Sequence, residues 1–308
     1  MKRIIFSILL TVFLAGAAFA VPDFEKMLQE IDTIGTFENN DFSCVYTMVS
    51  EKPGEDVSVT QIRMFRRDKT DQFVLLILKP EAQKGQGYLQ VDENVWFYDP
   101  ESRKFEKSTL RETIQDSDTQ NSDLDRSSLS EDYNVVDWAE GKLGAFDVYI
   151  LDLEATNTDV SYDKLKLWVR KDETIVLKEE DYSVNGRLMR TIYYPKYVTV
   201  AQKYLPSKAL IIDEINVGEK TEITMRNATV AAAAVRLGCV DSVRLSLSGS
   251  QLRSVHIKDL LTHPKVQPYR PVPDIEQSFE SKRLRILRHS ASAHARLFFV
   301  LDTLAPDP

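Results

Sequence analysis

The first 255 residues of this 308-residue chain contain no histidine; all four, His256, His263, His289 and His294, lie near the C-terminus. A Ser-His or Cys-His catalytic pair in the main body therefore has no base to draw on. Neither G-x-S-x-G nor H-E-x-x-H occurs. Cysteine is nearly as scarce: Cys44 and Cys239 are too few for a disulfide framework and allow at most one bond. Gly85-Gln86-Gly87 lacks the third glycine and the following helix that a dinucleotide site needs. Asp116, Asp118 and Gln120 begin like a calcium loop, but Asn121 stands where the turn requires glycine and Ser127 where a bidentate glutamate belongs. No metal, cofactor or catalytic residue is expected, and the chain is read as a non-enzyme; a secreted hydrolase is a minor reading that the missing histidines oppose.

Beyond residue 20 no apolar run is long enough to span a bilayer. The first twenty residues have a basic start at Lys2-Arg3, an apolar run from Ile4 to Leu14 and a small-x-small site at Ala18-Phe19-Ala20. That is the pattern of a signal peptide over 1–20, with Val21 as the mature N-terminus and the periplasm as destination; an uncleaved anchor is the other reading. No cysteine adjoins the cleavage site, so the mature chain is not expected to carry a lipid of its own.

What remains splits near residue 230. Residues 229–308 hold 11 basic against 7 acidic side chains, whereas residues 1–228 hold 28 against 40. The acidic body would be repelled by phosphate backbones, which argues against nucleic acid as a partner. In the tail, 231–308, arginine replaces lysine as the usual cation, Trp is absent and Tyr269 is the single tyrosine. It reads as an added helical segment with Lys282, Arg283, Arg285 and Arg288 on it, as an extension without fixed structure, or as a stretch read out of its ancestral frame. A Cys44–Cys239 bridge is open at this level, since spacing does not fix their separation.

In the body, 21–230, Phe24, Met27, Leu28, Ile31 and Ile34 fall at helical spacing behind Pro22-Asp23. About a dozen runs rich in β-branched and aromatic residues follow, among them "FSCVYTMVS" (42–50), "QFVLLILKP" (72–80) and "RLMRTIYYP" (187–195). Asn185-Gly186 marks a tight hairpin. Almost no crossover helix separates the runs, so the fold class is mainly β with a few helices: a curved antiparallel sheet forming a barrel or sandwich. Residues 108–133 break the alternation and are long enough to be a functional lid.

The sheet is greasier than one buried face requires. "QFVLLILKP" is apolar on both sides, and "KGQGYLQVDENVWFYDP" (84–100) sets Trp96 and Tyr98 on one side of a strand and Phe97 on the other. A hollow apolar interior accounts for that surplus. Each methylene of an acyl chain moved into it from water contributes about 0.8 kcal/mol, on the order of ten for a long chain before ordering costs.

The stretch 63–109, with Lys79-Pro80, Lys84-Gly85, Leu89 and Trp96-x-Tyr98-x-Pro100, resembles the LolA-like family of periplasmic outer-membrane lipoprotein-sorting proteins. The likeness extends over roughly residues 22–230. It implies an unclosed β-barrel lidded by helices, acylated lipoprotein as cargo, an inner-membrane ABC-type exporter as donor and an outer-membrane acceptor, with the carrier acting as a monomer. Strand alternation nominates Tyr46, Met48, Phe65, Leu75, Ile77, Leu89, Trp96, Tyr98 and Trp168 as the lipid-binding wall, a choice that a one-residue slip would invert. Arg63 and Arg111 are candidate latches between sheet and lid, with Asp116 or Asp118 as partners. The alternative function is a lipid- or peptide-sensing module that restrains a membrane partner.

Overall fold

The computed structural model describes residues 22–91 and 94–232. The expected signal peptide, the tail beyond Ala232 and Cys239 lie outside them. A twelve-residue helix, α1 (Phe24–Gly35), comes first, capped by Asp23, whose carboxylate accepts from the Lys26 amide at 3.0 Å. Thirteen strands follow: β1 (Asn40–Glu51), β2 (Ser58–Arg67), β3 (Gln72–Lys79), β4 (Gly87–Val91), β5 (Asn94–Asp99), β6 (Lys104–Ser108), β7 (Tyr133–Leu143), β8 (Phe146–Ala155), β9 (Lys164–Arg170), β10 (Val176–Tyr182), β11 (Leu188–Val200), β12 (Lys203–Asp213) and β13 (Lys220–Ala232). A one-turn helix, α2 (Leu129–Asp132), precedes β7.

All strands join one antiparallel sheet in the order β6-β5-β4-β3-β2-β1-β13-β12-β11-β10-β9-β8-β7. It consists of two meanders, β1 to β6 and β7 to β13, sewn together where β1 pairs with β13, Tyr46 opposite Met225. The sheet does not close: β6 and β7 are its two edges. The connection between them, residues 109–132, crosses from one edge to the other as a strap over one face. It is held in shape by a Thr113–Gln120 bridge, a single tight turn at Asn121–Leu124 and α2.

Both faces of β3 are buried, which is what its unbroken apolar run dictates. Phe73, Leu75 and Ile77 join Phe42, Met48, Ile62 and Met64 beneath Ile114 and Leu124 of the strap. Val74 and Leu76 point the other way, into an outer cluster with Phe65, Leu89, Trp96 and Phe105. On the second meander, Leu28 of α1 packs on Leu151, Leu153, Leu165, Leu167 and Val169. Gly87 is fixed by packing: a Cβ there would stand 2.2 Å from the Leu75 carbonyl oxygen. At the foreseen hairpin, Gly186 has φ +75°.

The covering differs from the expected helical lid in kind, because the strap is mostly irregular and α1 supplies nearly all the helix. β7 was not foreseen. Most of it is exposed, as an edge strand can be, so its sequence lacks the apolar alternation by which the other strands announce themselves. Among the described residues, no helix is long and apolar enough to cross a membrane.

Candidate functional site

Between α1, the strap and the covered face of the sheet lies a cavity of about 200 Å³. Ile31 and Ile34 of α1, Leu129 of α2, Ile175, Leu205 and Met225 give it apolar walls. Tyr46, Tyr194 and Tyr197 add rings, and Arg66, Asp123, Asp125 and Glu179 bring charge to the same space. Ligand pockets commonly measure about 300–1,000 Å³, so this one has room for part of a chain rather than for several.

The nominated wall residues fall on both sides of the sheet. Tyr46 lines the cavity, and Met48, Leu75 and Ile77 share its face but are packed under the strap. Phe65, Leu89 and Trp96 belong to the outer cluster, and Tyr98 meets Phe105 with tilted rings whose centroids are 4.9 Å apart. Trp168 lies on the opposite side of β9 from Leu167 and Val169, with the Lys178 ammonium 4.1 Å from its ring centre. The reason is period-two alternation: on β2 and β5 the inward residues are Ile62 and Met64, and Val95 and Phe97, one position from those nominated.

Neither nominated latch pairs with Asp116 or Asp118 among the described residues, although Arg111 does tie the strap to the β8–β9 connection. Arg63 buries its Nε without a partner among the described residues, and Arg111 donates to the Thr158 carbonyl. Asp118 instead accepts from the Thr221 hydroxyl at 2.8 Å. Two other arginines tie the cover down. Arg66 donates through Nε to Asp68 at 2.6 Å, through Nη1 to the Asp125 carbonyl at 3.1 Å, and through Nη2 to the Gly35 carbonyl at the end of α1. One guanidinium thus joins sheet, strap and helix. Arg190 grips Asp123 of the strap with both Nη atoms, at 2.8 and 2.6 Å, and donates its Nε to Asp181. From α1, Asp32 accepts the Leu129 and Ser130 amides at 2.9 and 2.8 Å and so starts α2.

Burial governs the electrostatics. Asp181 is fully buried and Arg190 is 7% exposed. Burial works against the Arg190 charge, but Asp123 and Asp181 outweigh it and hold the guanidinium well above its usual range. Glu179 is half-buried where it lines the cavity, yet protein surrounds it. Burial first, and the neighbouring Asp181 charge second, push its carboxyl well above the ordinary glutamate value. Burial also raises Asp181, but Arg190 pulls it back. Asp125 is raised by burial as well. On β1, Cys44 is a free, buried thiol pushed up by burial to about 12, an inert core residue.

Sequence reasoning missed Arg66, Arg190, Asp123 and Glu179. The one signal available was the presence of charged residues inside apolar strands, as in "QIRMFRR" and "LMRTIYY", which alternation alone treats as solvent-facing. Away from the cavity, Asp118, Asp213 and Glu219 bring carboxylate oxygens within 4.8 Å of one another, the single such grouping among the described residues.

A family model described as "Uncharacterized protein"-like matches residues 69–234. No curated protein matches the chain. Among solved structures, it is similar to a LolA superfamily protein from Nitrosomonas europaea, with TM-score 0.58 and 21% identity over 67% of this chain and 92% of that one. A DUF1329 family protein from Desulfovibrio piger gives TM-score 0.63 and 18% identity over 72% and 97% of the two chains. A domain described as outer membrane lipoprotein-sorting, from Vibrio parahaemolyticus, gives TM-score 0.62 and 18% identity over 72% and 97%. At these identities the likeness is one of fold.

Proposed function

Since the chain belongs to the family matched over residues 69–234, described as "Uncharacterized protein"-like, and has the LolA-like fold, we propose that it is a periplasmic carrier that shelters acyl chains and moves them towards the outer membrane. Its cargo on this reading is an acylated lipoprotein, received from an inner-membrane ABC-type exporter and passed to an outer-membrane acceptor. The observation that carries the reading is a partly apolar cavity roofed by a strap and a helix, both fastened through Arg66 and Arg190.

Magnitudes support a cover that yields to cargo. Breaking a buried ion pair costs about 3–5 kcal/mol, whereas burying a long acyl chain contributes on the order of ten before ordering costs. A chain of two or three carbons would not open such a cover, and a long one would. The cavity of about 200 Å³ is on this view the unloaded form. The wall proposed for the cargo is Tyr46, Tyr194, Met225 and the inner face of α1, with Met48, Leu75 and Ile77 uncovered once the strap lifts.

Purifying the mature protein from its own periplasm and extracting it for mass spectrometry tests the proposal. Co-purified acylated peptide is the expected result. Phospholipid alone would reduce the role to general lipid binding. An empty cavity together with tight binding to one membrane protein would replace the carrier with the sensing module.

A further inference from the structure

The apolar walls of the cavity are drawn from three separate clusters. Phe42 and Met225 come from the core beneath the strap, Leu129 and Val176 from the cluster under α1, and Ile175 and Tyr197 from a cluster around Leu177. Tyr194 packs against all three, the one half-buried residue among the described residues to do so. Its placing follows from the backbone. The pairing of β11 with β12 slips between Tyr193 and Lys196, which leaves a bulge at Tyr194-Pro195, and Pro195 has no N–H to give to a ladder. Tyr193 turns to the outer side, its ring centre 5.6 Å from the Lys178 ammonium. Tyr194 turns inward, lines the cavity and donates its hydroxyl to Glu179 on β10 at 2.9 Å.

A ring that touches three apolar clusters at once stands between them. We propose that Tyr194 is the stop that sets how long an acyl chain the cavity accepts. A chain lodged in the cavity ends against the ring, which the bulge and the bond to Glu179 hold at the junction, and removing the ring opens a path onward between the clusters. This rests on the carrier reading and names the residue that fixes chain length. Tyr46 supplies the contrast. It also lines the cavity, but it packs only against the core beneath the strap, so its loss weakens the grip on chains of every length without lengthening their path.

Calorimetric titration of the full mature chain with octyl, decyl, dodecyl and tetradecyl maltoside, each below its aggregation concentration, tests the proposal. For the parent chain, affinity should rise by up to about four-fold per methylene, the equivalent of about 0.8 kcal/mol, and level off by dodecyl. Tyr194→Ala should extend the rise through tetradecyl, and so should Tyr194→Leu, which keeps apolar contact and is the variant to read if the alanine chain does not fold. Tyr194→Phe keeps the ring and should level off where the parent does. Tyr46→Ala should lower affinity at every length and leave the levelling point unmoved. A parent whose affinity climbs through tetradecyl, Tyr194→Ala and Tyr194→Leu chains that level off with the parent, or a levelling point that Tyr46→Ala moves just as far, overturns the assignment and leaves the carrier reading standing. If no maltoside binds, both fall.

Discussion

The two meanders cover the same face of one sheet by opposite means. Over β1 to β6 the middle of the strap is seated dry, with Ile114 and Leu124, each at most 3% exposed, filling the surface between Phe42, Phe73, Leu75 and Tyr88, while its end at Asp125 meets Arg66 and Gln90. Over β10 and β11 the same strap is held by ions, with Asp123 on Arg190, and a cavity is left beside them. Dry packing is non-directional and is lost in proportion to area exposed, so it fixes where the strap lies. An ion pair is all or nothing and exchangeable for a polar partner, so it suits the end that has to let go.

Removing the ionic anchor should have the largest effect. Arg190→Met leaves Asp123 and Asp181 buried and unpaired, and should lower unfolding free energy by about 3–5 kcal/mol in urea titrations. Replacing Asp123 and Asp181 by leucine in the same chain should recover much of it, because a buried ion cluster exchanged whole for apolar groups is often neutral. On the dry side, Ile114→Ala should cost about 2–5 kcal/mol through its cavity, with no such rescue. Equal recovery on both sides would erase the distinction between the halves.

A smaller effect separates them by pH. Glu179 and Asp181 on the ionic side, and Asp125 at the strap's end beside Arg66 and Gln90, have folded values above their ordinary 4.5, 3.8 and 3.8, and burial is the leading cause in each. The folded protein therefore holds more protons than the unfolded chain in the window above those values. Their stabilising contribution is fully present below about pH 4 and is lost as pH rises through the folded values. Asp172, held down by Arg170, works in the opposite direction, but at the exposed surface where screening weakens it. Urea midpoints followed upward from pH 4 should fall, and Glu179→Gln should flatten the descent, whereas Ile114→Ala should shift the curve without changing its shape. A midpoint that rises steadily over that range would show these carboxyls ionised in the folded state.

How far the sequence reveals this contrast depends on the physical signal each part carries. A strand such as "DKLKLWVR" declares itself because a sheet face enforces period two, "QFVLLILK" because burial on both faces leaves an unbroken apolar run, and α1 through Leu28 and its neighbours at helical spacing. β7 stays silent because an exposed edge imposes no pattern. The presence of a strap was readable from the missing alternation of residues 108–133, but not its fastening: Arg66 meets Asp125, and Arg190 meets Asp123, 59 and 67 residues away in sequence. An arginine inside a strand looks the same whether it faces water or a buried carboxylate. The aromatic hairpin shows the same ambiguity, since Trp96 and Phe97 are equally apolar and only register decides which of them faces the strap.

Trp96 gives the narrowest test of that register, because the expected effect on cargo is nil. It packs with Phe65, Leu76, Leu89 and Phe105 on the outer face, across the sheet from Tyr88 and Phe97, whose tilted rings lie 5.2 Å apart beneath the strap. Trp96→Leu removes ring area from a half-buried site and should cost about 1–3 kcal/mol, near the range for lost apolar burial. Its affinity for a fluorescent acyl probe should stay within two-fold of the parent chain's, about 0.4 kcal/mol. Tyr46→Ala, on the cavity side, should lower that affinity several-fold at comparable stability. A ten-fold loss with Trp96→Leu would mean that acyl chains lie on the outer aromatic face, and that the strap covers a core and not a cargo site.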